Sequence, residues 1–72
     1  MTVVDATELK CPLPVLKAQK ALRGLEKGQE VLVMATDPNA PGDLEDLCGM
    51  TSDRVIENKA VNGVFHITIV KG

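Results

Sequence analysis

The sequence predicts a two-layer α/β (α+β) sandwich: a four-stranded mixed sheet with two helices on one face, in the order β-α-β-α-β-β. Three observations carry this expectation. Short apolar runs alternate with helix-period patterns along the chain. An Asn62-Gly63 pair separates two β-prone runs near the C-terminus, the signal of a two-residue hairpin. With 72 residues the chain is one domain, residues 1–72, and two helices can cover only one face of four strands.

Each element has its own justification. "TVVDA" (2–6) reads as a short strand. Residues 14–25 carry Val15, Ala18, Leu22 and Leu25 at helical spacing, with Lys17, Lys20 and Arg23 on the other side. Gly24 and Gly28 help to end that helix. "EVLVMAT" (30–36) is apolar at successive positions, as an interior strand would be. "DPNAPGD" (37–43) is a turn or the approach to a helix. Leu44, Leu47, Cys48 and Thr51 then fall at i, i+3, i+4 and i+7, a second amphipathic helix. Strands 55–61 and 64–70 flank Asn62-Gly63. The first two crossovers are expected to be right-handed. Phe65, Ile67 and Ile69 are expected to face the helices, leaving His66, Thr68, Val70 and Met34 on the open side of the sheet.

Composition excludes some functions. Phe65 is the only aromatic residue, so no base-stacking platform for single-stranded nucleic acid can be built. The net charge of −2 gives no general attraction to phosphate, and direct nucleic-acid binding is not expected. Charge is nevertheless uneven. Lys10, Lys17, Lys20, Arg23 and Lys27 lie in the first third of the chain, and Asp37, Asp43, Glu45, Asp46 and Asp53 in the middle. The opening "MTVVDATELK" has no basic leader before an apolar run, and no stretch is long enough to cross a membrane. The expected location is the cytoplasm, where two cysteines are free thiols rather than a disulfide.

The chemistry is concentrated in "LKCPLPVLKAQKALRGL" (9–25). A residue before proline is pushed out of the α region, and proline suits the first turn of a helix. If Pro12 is the first helical residue, Cys11 is the N-cap; if Pro14 is first, Cys11 lies two residues before the cap. Either way the thiol stands at the positive end of a helix, where free N–H groups favour the thiolate, and Lys10 adds positive charge. Pro12 and Pro14 stiffen the loop. There is no C-x-x-C, because the third residue after Cys11 is Pro14, so no dithiol exchange within the chain is available. The one histidine, His66, belongs to a distant strand and is read as a strand surface residue rather than a base for Cys11. Cys11, Cys48 and His66 lack metal-ligand spacing, so no metal is expected. Cys48 lies on the apolar stripe of the second helix and is read as core packing.

"KCPLPVLKAQKAL" resembles the C-P-x-P signature of the TusA/SirA-like sulfur-carrier proteins, and "ATDPNA" (35–40) resembles that family's second motif. The resemblance runs the length of the chain. Asp5 matches an aspartate that usually precedes the cysteine, and Cys48 a position where members often carry cysteine. The resemblance implies that Cys11 carries a transient persulfide, with no resident cofactor. A cysteine desulfurase or other donor loads it, and an acceptor protein unloads it. The pathways implied are tRNA thiolation, molybdenum-cofactor synthesis or sulfur oxidation, and some members accompany membrane transporters of sulfur compounds. Lys10, Pro12 and Pro14 support the loop; Lys17, Lys20 and Arg23, on the helix that Cys11 opens, are candidates for docking an acidic partner. The chain departs from the family in two places. Thr7-Glu8 stands where members commonly have a small or basic pair, often Arg-Gly, and Ser52-Asp53 where they often have Gly-His.

Two other readings compete. One is a small nucleic-acid-binding or regulatory module using the basic first helix. The other is an adaptor for a sulfur- or selenium-compound transporter, docking through Cys11 or the open sheet face.

Overall fold

The structure is a computed structural model that describes residues Met1–Gly72. Its elements follow the expected order: β1 (Thr2–Ala6), α1 (Leu13–Arg23), β2 (Glu30–Ala35), α2 (Ala40–Gly49), β3 (Arg54–Val61) and β4 (Val64–Val70). The strands form one mixed sheet in the order β1-β2-β4-β3. β1 and β2 are parallel, and β4 is antiparallel to both β2 and β3. β4 is thus inserted between β2 and β3, which run parallel to each other on either side of it. No helix is long and apolar enough to cross a membrane.

Burial follows the period of each element. In β1, Val4 and Ala6 are buried while Val3 and Asp5 are exposed. In β2, Val31, Val33 and Ala35 are fully buried, but Leu32 and Met34 are only half-buried. The near-continuous apolar run of β2 therefore has one sealed face and one partly wet one, because no helices cover the second side. Ile67 and Ile69 of β4 are fully buried, and Phe65 packs at the edge of the same core. Met34 pairs with His66, and Leu32 with Thr68, on the open face, as the alternation requires.

Helix α1 begins one residue earlier and ends two residues earlier than the periodicity indicates. Gly24 caps it, its N–H donating to the Ala21 carbonyl at 3.1 Å, and Leu25 packs on the core from beyond the helix end. The buried stripe is centred on Pro14, Ala18 and Leu22. Pro14 is fully buried, so the second proline anchors the helix start in the core as well as stiffening the loop. Helix α2 buries Ala40, Leu44, Leu47 and Cys48. Thr51, expected on that helix, lies beyond its cap Met50. Its hydroxyl instead serves Asp53: it donates to Oδ2 at 3.1 Å and accepts the Asp53 N–H at 3.1 Å. Asp53 is 6% exposed, and its other oxygen accepts the Gly72 N–H at 2.9 Å. That buried carboxylate ties the end of β4 to the start of β3. Asn62 (φ 50°) and Gly63 (φ 80°) both occupy the left-handed region, as the hairpin turn demands.

Candidate functional site

Because β1 and β2 are parallel, their C-terminal ends lie at the same end of the sheet, and the loops that follow them meet there. The first loop runs from Thr7 to Pro12 and leads into α1; the second, Thr36 to Asn39, leads into α2. Side chains of the second loop hold the backbone of the first. Thr36 Oγ1 accepts the Glu8 N–H at 2.9 Å. Asp37 Oδ2 accepts the Cys11 N–H at 2.6 Å, while its Oδ1 accepts the Asn39 N–H at 2.9 Å. One carboxylate thus fixes the cysteine and the start of the second helix together. These two hydrogen bonds, helped by the Lys10 charge, hold the Asp37 carboxyl below the ordinary carboxylate range.

Cys11 lies in a turn closed by the Leu13 N–H donating to the Lys10 carbonyl at 2.9 Å, with a cis Cys11–Pro12 peptide bond. Pro12 is the N-cap of α1, so Cys11 stands one residue before the cap, between the two placements the sequence allows. The thiol is exposed at a shallow groove of about 430 Å³ whose lining includes Lys10, Cys11, Asp37 and Asn39. Cys48 is buried under α2 and His66 is on the open sheet face, its Nδ1 3.2 Å from the Val64 carbonyl, so neither joins Cys11 in the groove.

The electrostatics of the thiol correct the sequence reading. A helix N-terminus and Lys10 were expected to favour the thiolate. Instead the Cys11 pKa is raised, first because the Asp43 carboxylate takes the thiol's hydrogen bond, and further by partial desolvation and the charges of Asp43 and Asp37. Asp43 sits in the first turn of α2, where its own charge suits that helix. The Lys10 charge acts on Asp37. The nearby carboxylates thus oppose ionisation of the thiol.

Other residues separate into distinct roles. Asp5 accepts the Thr7 N–H at 3.0 Å and the Thr7 hydroxyl at 2.6 Å, which turns the chain out of β1; those bonds lower its pKa. Glu8 has φ 66°, a left-handed conformation that favours glycine. The position at which the chain departs from the family's common Arg-Gly is thus one whose backbone suits glycine. Lys17 and Lys20 flank a groove against β1, whereas Arg23 borders a crevice towards α2 with Gln19 and Leu47. Between them the solvent ridge of α1 exposes Leu13 (47%) and Leu16 (50%) beside the cysteine loop.

A family model described as sulfurtransferase TusA matches residues 2–71. The chain belongs to the TusA family. A protein of Neisseria meningitidis serogroup A described as a sulfur carrier is 42% identical over 66 residues, covering 92% of this chain and 89% of that one. The sulfur carrier protein TusA of Allochromatium vinosum is 40% identical over 68 residues, covering 94% and 90%. The crystal structure of a SirA-like protein from Desulfitobacterium hafniense superposes with a TM-score of 0.88 at 34% identity, over 100% of this chain and 99% of that one. Membership supports a sulfur-carrier role, in which TusA-type proteins work between sulfur donors and acceptors.

Of the site residues, sequence reasoning picked out the cysteine, its prolines and the nearby cations. It missed Asp37 and Asp43 as neighbours of the sulfur. Asp37-Pro38-Asn39 carries a local signal, since an Asp that accepts the N–H two residues on is an Asx-turn. Nothing local shows that its second oxygen reaches Cys11.

Proposed function

We propose that this chain accepts sulfane sulfur as a persulfide on Cys11 from a donor protein such as a cysteine desulfurase, and passes it to an acceptor protein. The observation that supports this best is the exposed thiol in an open groove, its backbone pinned by Asp37 Oδ2 at 2.6 Å. A pinned backbone fixes where the sulfur is presented, and an open groove admits a partner's active-site loop.

The transfer needs little from this chain. Cys11 Sγ, as thiolate, attacks the terminal sulfur of the donor persulfide. A new S–S bond forms on Cys11, the donor S–S bond breaks, and the donor sulfur leaves as thiolate. The proton shed by Cys11 ends on that departing thiolate or in solvent, so there is no net oxidation or reduction. The reverse pattern on an acceptor cysteine returns Cys11 to the thiol. The carboxylates that raise the thiol pKa oppose ionisation of the empty carrier. Its attack is favoured by a partner that brings positive charge to the thiol. The exposed Leu13–Leu16 ridge beside the loop suits an apolar surface around the partner's reacting group. The acceptor classes this reading includes are enzymes of tRNA thiolation, molybdenum-cofactor synthesis and sulfur oxidation, with the cytoplasm as the place of exchange.

Intact-mass spectrometry without reductant, after incubation with a cysteine desulfurase and free cysteine, tests the proposal. Wild type should gain one or more sulfur atoms that reductant removes, and Cys11→Ser should gain none. Equal gain on the serine variant would sink it.

A further inference from the structure

The two edges of the sheet are built differently. β3 is interrupted by a bulge between Val55 and Glu57, and its exposed residues include Glu57 and Lys59. Bulges and charges are the devices that keep an edge from pairing with another chain. β1 has neither a bulge nor a proline, its one charged side chain, Asp5, is bonded to Thr7, and its register with β2 runs unbroken from Thr2 to Ala6. The Asp5 carbonyl accepts a bond from Lys17 Nζ at 3.0 Å, so it points away from β2. The alternation of a parallel strand puts the N–H and C=O of Val3 on that same free side. Lys17 is the one side chain that hydrogen-bonds to this edge, and it is long and flexible.

A groove of about 540 Å³ runs along the β1 edge under α1. Ala21 and Leu25 supply apolar lining, and Lys17 and Lys20 supply charge. Val4 and Ala6 turn towards the helices, so the Asp5 side chain, already bonded to Thr7, projects from the opposite face of the strand. Asp5 is nevertheless among the residues lining the groove, and its carboxylate and the Lys17 charge act on each other, so the groove carries two positive charges against one negative.

The geometry points to the β1 edge as a docking site for an extended, acidic segment of a partner protein. The segment adds a strand to the sheet, pairs its backbone with Val3 and Asp5, and turns alternate acidic side chains towards Lys17 and Lys20. Five residues of β1 offer about 17 Å of edge, enough for a segment of about five residues. A second copy of this chain is a poorer occupant. Antiparallel pairing of two β1 edges about a two-fold axis normal to the sheet would leave both α1 helices on the same face and set four lysines against one another. Cys11 does not line this groove, so a partner held here leaves the thiol free. The inference goes beyond the sulfur-carrier reading and does not depend on it.

The probe is the peptide acetyl-Val-Glu-Val-Glu-Val-amide, with acetyl-Val-Lys-Val-Lys-Val-amide as its charge-reversed control. Each is titrated at low salt into the ¹⁵N-labelled full chain. The acidic peptide should shift the amides of Val3, Asp5, Lys17 and Lys20 and slow hydrogen exchange at Val3 and Asp5. Its affinity should exceed that of the control by about tenfold and weaken with added salt. Lys20→Glu, at a side chain with no internal hydrogen bond, should remove most of that preference with the fold intact; Lys17→Glu should act in the same direction. Cys11→Ser should bind as wild type does, which separates this site from sulfur loading. Equal binding of the two peptides, shifts confined to other surfaces, an unaltered preference in Lys20→Glu, or a dimer whose interface maps to β1 would each overturn the proposal.

Discussion

Replacing Glu8 by glycine should stabilise this chain, and replacing it by alanine should not. Glu8 lies at φ 66°, in the loop that carries Cys11. A residue with a Cβ held in the left-handed region costs about 1 kcal/mol or somewhat more. Glycine escapes that cost but loses about 0.5–1 kcal/mol of extra backbone entropy on folding. The Glu8 N–H bond to Thr36 Oγ1 at 2.9 Å is a backbone donation that either substitution keeps. The Glu8 side chain is exposed, so truncating it removes no buried surface. Relative to wild type, Glu8→Gly should therefore gain up to about 1 kcal/mol. The sharper comparison is between the two variants. At an ordinary position alanine is the more stable by about 0.5–1 kcal/mol, and here the order should invert, by up to about 1 kcal/mol. For a domain of this size a full 1 kcal/mol is roughly 4–8 °C in Tm. Thermal and urea unfolding of the reduced wild type, Glu8→Gly and Glu8→Ala measure it. An alanine variant equal to or more stable than the glycine variant would refute the left-handed strain argument.

Three further outcomes are expected. Asp43→Asn removes the carboxylate that most raises the Cys11 pKa, so the iodoacetamide alkylation profile should move to lower pH and the rate near pH 7.5 should rise; an unmoved profile would mean that Asp43 does not control the thiol. Leu44→Ala, at a fully buried position in the core between α2 and the sheet, should cost about 2–5 kcal/mol in urea unfolding, a large share of the stability of so small a domain. Asp5 and Asp37 have pKa values lowered in the folded chain, so their contribution is present above the ordinary carboxylate range and is lost as pH falls through the lowered values. Asp37→Asn should flatten that acid limb in a series of urea midpoints between neutral pH and acid.

The strands, helices and hairpin were legible because each depends on neighbours in sequence. Val4 and Ala6 against Val3 and Asp5 show the strand period; Pro14, Ala18 and Leu22 show the helix period; Asn62-Gly63 needs only its own two positive φ angles. Where local logic was pressed too far, the tertiary structure corrected it. Thr51 fits the period of the second helix, yet the helix stops before it, and its hydroxyl instead serves the buried Asp53. The helix start beside Cys11 argued for a thiolate, yet the dominant charge on the sulfur comes from a residue on the other helix.

The sequence by itself determined the element order, the family and the position of the exposed cysteine, because periodicity, turn chemistry and the C-P-x-P run are all written within a few residues of one another. Only the tertiary structure decided what surrounds that cysteine. Parallel pairing of β1 with β2 brings two loops together at one end of the sheet, and Asp37, 26 residues from Cys11, becomes its hydrogen-bond partner. The strand order leaves β1 as a sheet edge without a bulge, beside two lysines. Coulombic and hydrogen-bond effects act through space, so the protonation of the thiol and the charge of the groove follow from which strands are neighbours, which residue spacing along the chain does not encode.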